Sequence, residues 1–194
     1  MKIILATKNK GKLKEFKILA EGTNLELVSL PDEIGSLPEE TGKTFEENAL
    51  IKAKFAFEKC GGTACLADDS GLEVNFLNGA PGIHSARYSK EGTDSSNTMK
   101  LLEKMAGVPK ENRKACFKCC LVLISKESSH TVEGSFEGEI GTSLKGNKGF
   151  GYDPIFVIPE SGFHLAELNP IEKIKISHRA IAFKKLKETL EVSK

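Results

Sequence analysis

Two long strand-like stretches, 115–125 and 130–140, constrain the fold of this chain more than any other feature; only the short polar stretch 126–129 separates them. Runs of this length around a polar turn read as paired strands, and a hairpin is not stable until other elements cover its faces. The rest of the pattern supplies that cover. An apolar strand at 2–7 leads through Thr7-Lys8-Asn9-Lys10-Gly11-Lys12 into a helix with Leu13, Phe16 and Ala20 at helical spacing. A strand is expected at 25–30, then a loop at 31–43 rich in Pro, Gly and acid. Thr44-Phe45-Glu46-Glu47 has the form of a capping box, opening a helix with Phe45, Ala49, Ala53, Ala56 and Phe57 inward and Gly61-Gly62 at its end. Strands at 63–67 and 72–77 flank an acidic turn at 68–71, and a further turn follows at 78–82. A helix spans 95–105, a glycine-rich loop at 146–151 enters a strand at 153–158, and a last helix starts near Ser177 with Ala182, Phe183, Leu186 and Leu190 inward. Alternating helices and strands with one long hairpin indicate an α/β protein with a mixed sheet.

A chain of 194 residues forms one domain, or two lobes sharing one core. Its net charge of +1 gives no bias toward nucleic acid or a membrane surface, so an anionic ligand has to be held by a local cluster of donors. The run Ile3-Ile4-Leu5-Ala6 is too short for a signal-peptide core, and no stretch of about 18 apolar residues occurs. A cytoplasmic protein is expected. Five cysteines without a secretory signal argue for reduced thiols. Cys116-x-x-Cys119 raises metal or redox chemistry, but its strand-like surroundings favour thiols packed as small hydrophobes.

Four constellations carry chemistry. The turn 7–12, between a strand and a helix, resembles a phosphate cradle built from backbone amides and lysines, or else is a solvated basic turn. Ala67-Asp68-Asp69-Ser70-Gly71 offers hard oxygen ligands of the kind magnesium takes, with Glu39, Glu40, Glu46 and Glu47 as further candidates; the alternative is an acidic turn capping its own backbone. Gly149-Phe150-Gly151-Tyr152-Asp153-Pro154 suits stacking on a base and bonding to its edge, or is simply a strand entry. Lys173, His178 and Arg179 supply donors for phosphate or a purine carbonyl, or decorate a solvated helix end. Neither HExxH nor G-x-S-x-G is present, which removes zincin and serine-hydrolase chemistry.

Taken together, these motifs resemble the inosine triphosphate pyrophosphatase family over nearly the entire length. The resemblance rests on Leu5-Ala-Thr-x-Asn-x-Gly-Lys12, Thr44-Phe-x-Glu-Asn-Ala49 with Lys52, Ala67-Asp-Asp-Ser-Gly71, Gly79-x-Pro-Gly82 with Ser85-Ala-Arg87, Gly149-Phe-Gly-Tyr-Asp-Pro154 and Ser177-His-Arg179. It implies an elongated two-lobed mixed sheet flanked by helices, with the active site in a cleft between lobes, and a single catalytic domain over 1–194. It implies Mg²⁺-dependent hydrolysis of ITP, dITP and XTP to the monophosphate and pyrophosphate, clearing deaminated purines from the nucleotide pool. On the same ground the catalytic acid and metal ligand falls on Asp69, and a second metal ligand on Glu39 or Glu40. Phosphate-side contacts fall on Thr7, Lys8, Asn9, Lys10, Gly11, Lys12, Lys52 and Arg87, and a substrate contact on Ser70. The base pocket falls on Phe150, Gly151, Tyr152, Asp153, Lys173, His178 and Arg179. A homodimer is implied, with no stable nucleic-acid or membrane partner. Lys148 departs from the pattern, standing where the family usually has Gly, and adds a charge beside the glycine loop.

Two rivals remain at this stage. One is a pyrophosphatase for modified pyrimidine triphosphates. The other is a nucleic-acid-binding module using Lys2, Lys8, Lys10, Lys12, Lys14 and Lys17 as a backbone track, which the balanced charge disfavours.

Overall fold

A computed structural model describes residues 1–192. Six strands form one sheet in the order β2-β1-β3-β4-β5-β6, with β1 (Lys2–Leu5), β2 (Glu26–Ser29), β3 (Cys65–Val74), β4 (Lys114–Ile124), β5 (Ser129–Ile140) and β6 (Phe156–Val157). The pairs β1–β2 and β1–β3 are parallel and β5–β6 is antiparallel, so the sheet is mixed as the sequence implies. The chain divides into two compact units, and the division falls within β3, β4 and β5.

The first unit holds residues 1–69, 119–134 and the C-terminal stretch from His178. Its sheet is buried on both sides. Ile3, Leu5, Leu66, Cys119, Leu121 and Leu123 point to one face, where Phe16 of α1 (Lys10–Ala20) meets Phe183 of α5 (His178–Val192) with ring centroids 6.2 Å apart. Ile4, Ala6, Cys65, Ala67, Cys120 and Val122 point to the other face, against Ala49, Ala53 and Ala56 of α2 (Phe45–Lys59). Successive strand residues alternate between the two clusters because a pleated strand has a period of two. Each large side chain buried this way contributes roughly 1.5–3 kcal/mol. The same period sends Cys116 and Cys119 to opposite sides of β4, so the pair cannot chelate one ion within that strand. Cys65, Cys119 and Cys120 are buried packing residues, and burial raises the Cys65 and Cys120 thiols to about 12.

The second unit holds 70–118 and 135–177. Leu72, Val74, Leu101, Met105, Phe117, Tyr152 and Phe156 form its core, together with α3 (Asp94–Lys104). Buried Arg113 donates to the carbonyls of Met105 and Val108 beyond the end of α3 and to those of Ile140 and Gly141 at the end of β5. One guanidinium thus serves four backbone acceptors.

Several expected boundaries need correction. Residues 68–71 are not a turn: β3 runs unbroken from Cys65 to Val74. The turn at 7–12 is shorter than its composition suggests, because α1 already begins at Lys10 with Asn9 as cap. Thr44 accepts from Glu47 N at 3.1 Å as a cap should, but the Glu47 carboxylate turns to Lys43 N, so the reciprocal half of the box is displaced by one residue. The helix expected at 95–105 starts at Asp94 under a Thr93 cap, with Ser96 completing a capping box. Residues 153–155 form a 3₁₀ turn, leaving only Phe156–Val157 as strand. Helix α4 (Pro170–Ile176) is too short for apolar periodicity to mark; its sequence sign is the Asn169-Pro170-x-Glu172 cap.

Candidate functional site

The first unit gathers the charged residues. Asp68 and Asp69 sit side by side on β3, so their carboxylates leave by opposite faces. On the α1–α5 face, Asp68 lies 2.9 Å from Lys12 Nζ and 3.6 Å from Arg179 Nε, while Arg179 Nη1 donates to Glu15 at 3.0 Å. Four charges alternate in sign from Lys12 to Glu15. Asp68 is 1% exposed. Burial alone would raise its pKa, but Lys12, Arg179 and Lys52 reverse the effect and bring it down to about 2. Burial tends to lower Arg179, and Glu15 with Asp68 more than offsets it, so the guanidinium stays charged.

On the α2 face, Lys52 Nζ lies 2.9 Å from Asp69 Oδ1 and 2.6 Å from Glu40 Oε1. Asn48, one helical turn before Lys52, donates to Asp69 Oδ2 at 3.3 Å and accepts from Gly42 N at 2.8 Å. It thereby ties the loop that carries Glu40 to the strand that carries Asp69. A Cβ on Gly42 would stand 2.7 Å from Asn48 Oδ1, so this close approach requires glycine. Burial raises the Asp69 carboxyl above the usual carboxylate range, with Lys52 opposing and Glu40 adding to the rise. Of the two upstream acids left open by the sequence, Glu40 reaches Lys52, whereas Glu39 is exposed. No cluster of three or more His, Cys, Asp or Glu able to hold a metal ion forms among the described residues. The Lys52 ammonium serves as the counter-charge to both acids.

The turn between β1 and α1 adjoins Asp68 through Lys12. Asn9 Oδ1 accepts from Lys12 N, and Thr7 Oγ1 accepts from Asn9 N. Lys10 and Gly11 occupy the first helical turn, whose amides have no intrahelical partner and suit an anion. Lys8 and Lys10 are exposed beside them.

The second unit holds the aromatic cluster. Asp153 accepts from Lys173 Nζ at 2.5 Å and from Phe150 N at 2.9 Å. Lys173 Nζ in turn stands 4.6 Å from the Phe150 ring centroid. Gly149 has φ +78°, and a Cβ there would collide with the Asp153 carboxylate. Tyr152 is core, donating to Ser85 O at 2.8 Å. Lys148 folds back, its amide donating to Ala166 O at 3.0 Å and its ammonium to Glu167 O at 3.1 Å. Ser70 is half-buried on β3, and Arg87 is exposed at the end of the 3₁₀ stretch Gly82–Arg87. His178 is the buried first residue of α5, in the first unit with Arg179.

Asn48, Glu15 and Gly42 are the participants that residue-type reasoning passed over. The i,i+4 spacing of Asn48 and Lys52 on a capped helix was the available signal for the first.

Comparison with known proteins places the chain in a family. The chain is 49% identical to the dITP/XTP pyrophosphatase of Bacillus licheniformis and 48% identical to that of Haemophilus influenzae, with 97% of this chain covered in each case and 97% and 98% of the relatives. Its fold superposes on the Staphylococcus aureus Ham1 protein with a TM-score of 0.87 at 38% identity, covering 100% of both chains. A dITP/XTP pyrophosphatase structure from Mycobacterium abscessus gives a TM-score of 0.74 at 46% identity, covering 96% of this chain and 98% of that one. The model of the Ham1 family matches residues 3–189, across both compact units, and the chain belongs to that family.

Proposed function

We propose that this chain hydrolyses dITP, ITP and XTP to the monophosphate and pyrophosphate, residues 1–194 acting as one catalytic domain. The observation that carries the reading is the Glu40–Lys52–Asp69 cluster, with Asn48 joining its loop to its strand. The likeness to dITP/XTP pyrophosphatases over 97% of the chain supports the substrate class.

Asp69 and Glu40 are the residues that would hold Mg²⁺, an ion that binds through one or two carboxylates and completes its shell with water and phosphate oxygens. When bound, the ion neutralises phosphate charge and favours departure of pyrophosphate. Asp69, oriented by Asn48 and Lys52, takes the proton of the attacking water; the burial that raises its proton affinity suits a base. The water oxygen bonds to the α-phosphorus as the bond to the bridging oxygen of the β-phosphate breaks. Lys12, Lys52, Arg87 and the turn 7–12 hold phosphate oxygens, with Ser70 as a further contact.

Phe150 stacks on the base, and Gly151, Tyr152, Asp153 and Lys173 shape its surroundings. Hypoxanthine and xanthine carry a carbonyl where adenine carries an amine, so a donor placed for the carbonyl is left unpaired by ATP. His178 and Arg179 are candidate donors by resemblance. The ion pairs of Arg179 with Glu15 and Asp68 favour a second reading, in which Arg179 positions Asp68 and through it Lys12.

A cytoplasmic homodimer without a nucleic-acid or membrane partner is the proposed setting. Five free cysteines and a net charge of +1 agree with it, and no helix among the described residues is long and apolar enough to cross a membrane. The deciding experiment offers ITP, dITP, XTP, ATP, GTP and a modified dUTP with Mg²⁺ and measures pyrophosphate against orthophosphate. Orthophosphate as the first product, or fastest turnover of the pyrimidine, would defeat the proposal.

A further inference from the structure

We propose that Asp94 is a positioning residue for base recognition: its carboxylate holds the Phe150–Gly151 peptide so that the Phe150 ring is presented in one orientation. The inference rests on the reading that residues 150–153 recognise the base. Asp94 is the first residue of α3, yet that helix is capped without it, because Thr93 Oγ1 accepts from Ser96 N and Ser96 Oγ from Thr93 N. The Asp94 carboxylate instead accepts from Gly151 N at 2.7 Å, across 57 positions of sequence. The preceding amide, Phe150 N, donates to Asp153 Oδ2 at 2.9 Å. Two successive amides therefore end on two different carboxylates, which fixes the peptide between them. Thr98 adds a weaker restraint: its hydroxyl donates to Asp94 O at 2.6 Å and approaches Gly151 O at 3.3 Å.

This anchoring is needed because Gly151 has φ +62° and no neighbour within 4 Å of where a Cβ would be, so packing does not hold it. Glycine on either side of Phe150 leaves the backbone that aims the ring to be fixed by these hydrogen bonds, with the Lys173 ammonium 4.6 Å from the ring centroid. Asp94 thus acts through Phe150, without any need to touch the nucleotide.

The test uses the full chain with Asp94→Ala, Asp94→Asn and Phe150→Ala, measuring inosine monophosphate binding by calorimetry and kcat and KM for dITP. Asp94 is exposed, so the alanine variant keeps the fold. Asp94→Ala is expected to weaken inosine monophosphate binding and raise KM by roughly 3- to 10-fold, the scale of one hydrogen bond, with kcat unchanged. Asp94→Asn keeps an acceptor oxygen and is expected to restore both. Unchanged binding and KM in Asp94→Ala overturn the inference, as does a loss confined to kcat. An asparagine variant as impaired as the alanine one also overturns it, since a general charge effect at the helix start would then explain the result. If Phe150→Ala leaves binding and KM intact, the base-pocket reading falls and takes this inference with it; a damaged Phe150→Ala beside an undamaged Asp94→Ala removes the inference alone.

Discussion

Asp68 and Asp69 are adjacent in sequence but serve opposite faces of β3: Asp68 lies 2.9 Å from Lys12 Nζ on the α1–α5 side, and Asp69 lies 2.9 Å from Lys52 Nζ on the α2 side. The two acids are thereby given different work. Asp69 shares its surroundings with Glu40, while Asp68 is locked among cations.

Asp69→Asn preserves size and an acceptor for one of the two donors, Asn48 or Lys52, while removing the charge and the base. Turnover of dITP should fall at least roughly 10²-fold, the lower scale for losing a positioned acid–base group, with the unfolding midpoint little changed. Near wild-type kcat in the folded variant would refute the assignment.

Asp68 is a matter of stability. Its folded pKa of about 2 lies below the ordinary 3.8, so the stabilisation it gives is complete above pH 3.8 and is lost as pH falls through 2. The shift corresponds to about 2 kcal/mol. Urea unfolding of wild type and Asp68→Asn between pH 6 and 2 should show their difference narrowing by that amount toward the acid end. A difference that stays constant across the range would exclude ion pairing as the source.

Chelation should abolish hydrolysis and added Mg²⁺ restore it, while Ca²⁺ substitutes poorly because its longer, looser coordination misplaces phosphate oxygens. Turnover that persists in excess chelator would remove Asp69 and Glu40 from any metal role.

Arg179→Ala separates two roles. If Arg179 acts through Asp68 and Lys12, kcat/KM for ITP and ATP should fall in proportion. A selective loss for ITP, shrinking the preference by roughly 10- to 150-fold, would instead make Arg179 a donor to the purine carbonyl.

Gly134 on β5 faces the start of α5, where an added Cβ would collide with the His178 carbonyl and the Ala182 amide. Gly134→Ala should therefore displace α5 and destabilise by about 1–3 kcal/mol, read as a lower thermal midpoint. An unchanged midpoint would mean that the helix accommodates the methyl at no cost.

Much of the architecture was legible in local pattern. The Thr44 cap, the alanine face of α2 and the β4–β5 hairpin all follow from spacing and turn chemistry. The reading failed at 68–71, where Asp-Asp-Ser-Gly has turn composition but ion pairs with Lys12, Arg179 and Lys52 override local preference and keep β3 extended. It failed again at Asp153-Pro154, where proline shortens the strand. Glu39 and Glu40 were inseparable in sequence because both lie in an irregular loop whose path Gly42 and Asn48 set. Asn48 stands in the Thr44–Ala49 motif without a role, because a buried amide on an apolar helix face is indistinguishable from a filler until its partners are known.

Lys52 brings a last consequence. Its ammonium is a counter-ion attached to the backbone, standing between two acids that would otherwise repel each other. Domains that recruit a dissolved metal to quiet such repulsion become hostage to its supply, and their folding tracks its concentration. Here the neutralising charge is synthesised with the chain, so this part of the architecture does not wait on divalent-ion availability.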